Sequence, residues 1–276
     1  MKKIPIVRSL GLLSDMHVGS TVAIWPKEYG TPEGTIIKAS KGQLMLLDYW
    51  KEVAKTFKEY EVDTILLNGD LIEGLNRKEN GKGLMASNLN FQAEACVELL
   101  DDMIPSKKTK VWVFSGSTYH ESYDCEFHES IADLLKQRYP RTEYMGAMKN
   151  IKLHGTGVTM NIQHGYGGGS MYRATKMDRE AMFINLAESN NKLDGKIDVI
   201  IRGHLHYFAC LQMVKTSIQL PCWKAFEASK IFLPNYGRMQ PDIGGVVMLV
   251  DKQNSVMVKQ ITDFKLPNIV DKVEVK

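Results

Sequence analysis

The chain has 276 residues, of which 44% are hydrophobic and 24% charged, with a formal net charge of +3. That length buries a substantial core, and a single domain over residues 1–276 is expected. The composition excludes a disordered or fibrous chain, and the mild positive balance suits an anionic substrate without reaching the density of a basic nucleic-acid arm.

Met1-Lys2-Lys3 is followed closely by Ile4-Pro5-Ile6-Val7-Arg8, too short and too soon charged for the apolar stretch of a secretory leader. No window approaches the roughly 18 apolar residues of a spanning helix. The cysteines Cys96, Cys125, Cys210 and Cys222 form no C-x-x-C pair, so neither a disulfide framework nor a thiolate zinc site is expected. These features together predict a cytoplasmic protein with no membrane partner.

In chain order, residues 7–13 read as an apolar strand. A Gly/Pro/Thr-containing insertion follows at 19–42, a length typical of a lid, a subunit contact or a loose surface loop. Helical spacing of apolar residues covers 44–57 and 88–103, the latter closed by Pro105, with a buried strand at 64–67 between them. A strand at 111–114 precedes a helix at 127–138, and strands at 158–162 and 199–201 flank a helix at 172–190. Residues 208–214, 246–250 and 256–261 are β-like and are expected to extend a second sheet. Strand alternating with helix predicts an α/β core.

The strand ends carry the chemistry. The first apolar run stops at Asp15-Met16-His17, whose alternate positions would share a face if the strand continued. The second stops at Gly69-Asp70-Leu71-Ile72-Glu73, the third at Gly116-Ser117-Thr118-Tyr119-His120-Glu121, the fourth at His164-Gly165, and the fifth at Gly203-His204-Leu205-His206. In open α/β sheets ligands gather beyond the carboxyl ends of strands. Carboxylates and imidazoles collected there suit a first-row divalent metal. His128, inside a helical pattern, and His154, before a Gly-x-Gly turn, are read as structural. Gly167-Gly168-Gly169 lacks the strand–turn–helix setting of a phosphate cradle and is read as a loop.

These motifs, in this order, resemble the calcineurin-like metallophosphoesterase family, whose pattern is Asp-x-His, Gly-Asp-x-x-Asp/Glu, Gly-Asn-His-Asp/Glu, a later His, and Gly-His-x-His. The resemblance spans about residues 7–210. It implies a four-layer α/β/β/α sandwich with two mixed β-sheets and a dinuclear site at their apex. Residue by residue, it implies Asp15, His17 and His206 on one divalent ion, His164 and His204 on the other, and Asp70 bridging them. His120 would stabilise the transition state or protonate the leaving oxygen. Manganese is the expected metal, with Fe, Zn, Ni or Co compatible with a sulfur-free ligand set. Paired ions of this kind bind phosphate oxygens and acidify a shared water. Glu73 and Glu121 are candidate orienters of histidine ligands, or solvated carboxylates.

The third motif departs from the family. Its asparagine is absent, the histidine is displaced by two residues, and Ser117 and Thr118 are the nearest oxygen donors. This variant resembles phage-encoded members. The implied activity is hydrolysis of a phosphodiester or phosphomonoester, with nucleotides or nucleic acid among the candidate substrates. The alternative is a catalytically impaired metal-binding scaffold of the same fold. Arg173, Lys176 and Arg179 are either phosphate contacts or a solvated helix face, and Trp25, Tyr29, Tyr119, Tyr166 and Tyr172 either stack on bases or pack loops.

Overall fold

The computed structural model describes residues 5–31, 33–77, 80–120, 127–165, 167–168, 172–193, 195–225 and 241–262. Glu121, Tyr166 and Cys125 lie outside them. The elements in order are β1 (Ile6–Leu13), β2 (Glu28–Gly30), β3 (Ile36–Lys38), α1 (Lys41–Glu59), β4 (Thr64–Asn68), α2 (Leu89–Met103) and β5 (Lys110–Phe114). There follow α3 (Phe127–Arg138), β6 (Thr142–Gly146), β7 (Met148–Lys152), β8 (Thr159–Gln163), α4 (Arg173–Ser189) and β9 (Val199–Arg202). The last four are β10 (Ala209–Gln212), β11 (Thr216–Gln219), β12 (Gly245–Asp251) and β13 (Val256–Ile261).

Strand alternation sorts the side chains into layers. Leu10, Leu12, Leu66 and Phe114 point one way from the first sheet and bury against Met160, Ile162, Val199 and Ile201 of the second. The intervening Leu13, Ile65, Leu67, Val111 and Val113 point the other way, onto Val53 and Phe57 of α1, Leu100 of α2 and Ile131 and Leu135 of α3. Beneath the second sheet, Ile200 and Ile197 meet Ala181 of α4. The result is the four-layer α/β/β/α sandwich. Each fully buried aliphatic side chain in these layers contributes about 1.5–3 kcal/mol by leaving water.

The first sheet runs β13-β12-β1-β4-β5-β6 and the second β10-β11-β9-β8-β7. β1, β4, β5 and β6 are parallel, β12 pairs antiparallel with β1, and β13 pairs antiparallel with β12. In the second sheet β8, β9 and β11 are parallel, with β7 and β10 antiparallel at the edges. Both sheets are therefore mixed, and their parallel strands deliver their carboxyl ends to one side.

Local chemistry explains the helices. Ser40 caps α1 in a reciprocal box with Gln43, and the Asn88 side chain accepts from Phe91 N at the start of α2. Pro105 follows the end of α2 and forbids its continuation. No helix among the described residues is long and apolar enough to cross a membrane.

Three expectations change. The strands at 246–250 and 256–261 extend the first sheet, not the second: β12 lies beside β1, with Val246, Met248 and Val250 facing the inter-sheet layer and Val247 facing the helices. A strand apolar on both faces belongs inside a covered sheet. The run 208–214 does extend the second sheet, but only as the shorter β10, with a turn before β11. The 19–42 insertion is a packed element, with Ile24 and Trp25 fully buried and the Gln43 side chain donating to Ser20 O and Ala23 O at 3.2 and 3.0 Å. Its hairpin β2–β3 places Tyr29 against Phe91, ring centroids 5.0 Å apart. Trp25 and Tyr29 thus pack loops.

Candidate metal centre

The carboxyl ends of β1, β4 and β5 in one sheet and of β8 and β9 in the other converge on one point at the seam between the sheets. β1 ends at Leu13, so strand alternation does not aim Asp15 and His17. Both adopt left-handed backbone, φ 53° and 50°, as do Asp70 (49°), His204 (73°) and His206 (57°). Asp and His tolerate this region better than most side chains, yet each such residue costs roughly 1–2 kcal/mol. Backbone bonds hold the turns: Asp15 N donates to Gly69 O at 3.0 Å, His17 N to Asp70 O at 2.9 Å, and Gly203 N to His164 O at 2.7 Å.

Two glycines make the convergence possible. Gly69 has φ +80°, and a Cβ there would lie 2.6 Å from both Gly116 Cα and His164 Nδ1. A Cβ at Gly203 would strike Ser14 Oγ and come within 2.9 Å of Asp15 Oδ2.

Each donor atom is presented by a specific bond. Asp15 Oδ2 accepts from Ser14 Oγ at 2.5 Å and from His204 N at 2.9 Å, which leaves Oδ1 to face inward. Oδ1 lies 3.2 Å from His206 Nε2, 3.7 Å from His164 Nε2 and 3.8 Å from His17 Nε2. His17 Nε2 and His206 Nε2 are 3.0 Å apart. His164 donates Nδ1–H to Asn68 O at 2.6 Å, so Nε2 is the inward atom, 3.0 Å from Asp70 Oδ2. His17 Nδ1 lies 2.9 Å from Glu73 Oε2, and Lys224 Nζ donates to both Glu73 oxygens at 2.6 and 2.8 Å.

Three overlapping sets emerge: Asp15, His17 and His206; Asp70, His164 and His204; and His17, Asp70 and His120. All seven predicted site residues are brought together. Asp15 Oδ1 and His164 Nε2 are buried and complete no hydrogen bond among the described residues. Uncompensated burial of such atoms is costly, and a cation at the seam removes the cost. Neighbouring donors near 3 Å apart also suit a metal whose bonds are about 2.0–2.2 Å long. The residues present fit divalent ions.

Electrostatics agree. Burial would raise Asp15 and Asp70, but the imidazoles around them, His164 foremost, hold both below the usual carboxylate range. Burial opposes a charged His164, yet Asp70 and Asp15 lift it to about 9. Burial, with His120 and Lys224, depresses His17 to about 3. Glu73, raised by burial, is brought down to about 2 by its bond to His17 and the charges of His17 and Lys224. The carboxylates stay ionised and His17 stays neutral, the forms that bind metal, whereas His164 and His206, both held above the ordinary imidazole value, give up a proton to an ion.

Lys224 and Asn68 give no sign of their roles in the sequence. Lys224 lies in an irregular stretch after β11, and its partner Glu73 is 151 residues away. Arg173 pairs with Asp242 and stacks over the Tyr207 ring at 5.0 Å, fastening α4 to the His206 loop. His128, fully buried, accepts from Leu71 N at 3.1 Å and braces the Asp70 turn, the structural role expected of it.

No protein-family model matches the chain, and no curated protein matches it. Among solved structures it is similar to Vps29 complexed with Zn+2 from Entamoeba histolytica, 12% identical over 92% of this chain and 98% of that one, TM-score 0.44. A dimetal phosphatase from Danio rerio is 10% identical over 89% and 93% of the two chains, TM-score 0.39. A putative 5'-nucleotidase from Staphylococcus aureus, in complex with alpha-ketoglutarate, is 12% identical over 94% of this chain and 56% of that one, TM-score 0.41. These superpositions are loose, and the site stands on its own geometry. The architecture is the one implied by the motif resemblance to calcineurin-like metallophosphoesterases.

Proposed function

We propose that this chain is a metal-dependent phosphoesterase of the calcineurin-like kind, hydrolysing phosphodiester or phosphomonoester bonds. The observation that supports it is the three donor sets linked through His17 and Asp70, with Asp15 Oδ1 and His164 Nε2 buried at the seam. Asp15, His17 and His206 would hold one divalent ion, His164 and His204 the other, and Asp70 both. Manganese fits this hard, mixed oxygen and nitrogen set. Such ions supply positive charge to the phosphoryl oxygens and lower the pKa of water.

The chain's own groups supply orientation and proton transfer. His120 donates Nδ1–H to Glu73 O at 2.6 Å, which fixes the ring. Its Nε2, 4.0 Å from Asp70 Oδ2 on a side chain 12% exposed, faces the seam where a substrate enters. As water oxygen bonds to phosphorus and the ester P–O bond breaks, the leaving oxygen takes its proton from His120 Nε2, and the proton given up by the water passes to solvent, from which the ring is reprotonated. A positioned acid of this kind contributes about 10²–10⁴-fold. A nucleotide or nucleic-acid substrate is part of the proposal, supported by the net charge of +3.

Metal-stripped protein supplied with manganese is tested on bis-p-nitrophenyl phosphate and p-nitrophenyl phosphate, beside His120→Ala and Asp70→Asn. Manganese-dependent turnover, lowered by roughly 10²-fold or more in each variant, is expected. Silence on both substrates, with less than one ion bound per chain, would favour the impaired scaffold.

A further inference from the structure

The two donor sets are unequal. Asp15, His17 and His206 bring a carboxylate of their own, and with Asp70 bridging as proposed above the first ion has two. His164 and His204 bring none beyond Asp70 to the second. A further oxygen lies beside that second set.

Ser117 follows Gly116, whose missing Cβ lets the loop after β5 lie directly on Asp70. Ser117 N donates to Asp70 Oδ1 at 2.7 Å, so the backbone already satisfies that oxygen. The Ser117 hydroxyl sits 3.1 Å from Oδ1 and 3.1 Å from Oδ2. Oδ2 is therefore flanked by Ser117 Oγ at 3.1 Å and His164 Nε2 at 3.0 Å. That is the spacing of adjacent donors around one ion with bonds near 2.1 Å. Of the other hydroxyls in the loop, Thr118 is exposed, Ser115 is bonded to the Tyr144 hydroxyl and Tyr119 to Asn76 Oδ1.

We propose that the Ser117 hydroxyl is an oxygen ligand of the second ion, and that the second ion is consequently held more weakly than the first. The proposal rests on the phosphoesterase reading above. The hydroxyl keeps its proton, which it donates to Asp70 Oδ1, and lends a lone pair to the ion. A neutral hydroxyl is a weak donor, so the second position fills only as the free ion concentration rises. The chain's departure from the family pattern is then a graded metal requirement and not a defect.

Manganese titration of the stripped full chain by calorimetry is expected to show two unequal steps. Ser117→Ala should weaken the second step by at least about tenfold and leave the first unchanged. Circular dichroism checks that the variant folds. Ser117→Cys loaded with cobalt gives an independent signature: a thiolate-to-cobalt charge-transfer band that grows with the second equivalent and is absent from the unaltered chain. Two equivalents bound with unchanged affinity in Ser117→Ala, or bound without that band in Ser117→Cys, would overturn the proposal. Because the readout is binding, it stays distinct from the phosphoesterase reading: a chain that takes up both ions but hydrolyses nothing sinks that reading and leaves the Ser117 assignment standing.

Discussion

The two sides of the seam present their donors differently. On the first sheet, Asp15, His17 and Asp70 are all buried, and each is locked by groups from elsewhere in the chain: Ser14 and His204 N, Glu73 and Lys224, Ser117. That sheet is backed by α1, α2 and α3, two of them capped by a side chain. On the second sheet, His204 and His206 are partly exposed, and among the described residues α4 is the one helix behind it. α4 has no side-chain cap and leaves Met182, Phe183 and Leu186 more than half exposed. One half of the centre is preorganised, and the other is held chiefly by bonds that cross the seam. His164 Nδ1 on Asn68 O, Asn68 Nδ2 on Gln163 O and His204 N on Asp15 Oδ2 are those bonds.

The sharpest way to break this arrangement is to wedge the seam itself. Gly203→Ala places a methyl on Ser14 Oγ and beside Asp15 Oδ2 and His164 Nδ1, groups from both sheets. Overpacking of this kind costs about 1–3 kcal/mol of stability. A misplacement near 1 Å at the reacting centre costs on the order of 10²-fold in rate. Urea unfolding and manganese-dependent diester hydrolysis measure the two losses. Gly168→Ala, in open space and with φ outside the left-handed region, is the matched control and should leave both values alone. An active, stable Gly203→Ala would show that the seam is softer than the contacts indicate.

A smaller effect tests the preorganised half alone. Lys224 is the cation that holds Glu73 ionised and aimed at His17. Lys224→Met keeps much of the side-chain length and removes the charge. Loss of such a supporting partner typically weakens a metal by about 10–100-fold. The first manganese step should weaken accordingly while the second changes little. Equal weakening of both steps would mean that Lys224 supports the whole centre and not His17 in particular.

Much of this centre was readable in the sequence because an apolar strand must stop somewhere, and here five strands stop at Asp or His. The helices at 44–57, 88–103 and 127–138 were readable for a related reason: one buried face repeats with the helical period. Three things were not. β6 and β7, which carry the chain from one sheet to the other, have no apolar alternation to mark them, β6 being mostly half-buried and β7 mostly exposed. β12 is apolar on both faces, which marks a buried strand but not the sheet that buries it. The direction of Asp15 and His17 is set by left-handed turns braced by Gly69 and Asp70, a tertiary effect that local spacing does not encode. Lys224 is of the same kind: an ion pair across 151 residues leaves no pattern at either end.

The mildest test uses pH to titrate the exchange between protons and metal on the second half. In the metal-stripped chain Asp70 and Asp15 overcome burial and raise His164 to about 9, above its ordinary value of 6.5. A raised folded value means that the protonated imidazole stabilises the stripped fold. That contribution is complete below pH 6.5 and is lost as pH rises through about 9. An ion needs the neutral ring, so binding must expel that proton. Between pH 7 and 8, then, thermal stability of the stripped chain should fall while manganese affinity at the His164 side rises by up to about tenfold, one proton per ion. Calorimetry in buffers of different ionisation enthalpy counts the released proton directly. The first step takes no proton from His17, already depressed to about 3, but His206, which burial would lower and which Cys222 and Asp15 hold well above its ordinary value, should release its own there. A first step that releases none would show that His206 does not carry that proton in the stripped chain, and a second step that releases none would show the same of His164.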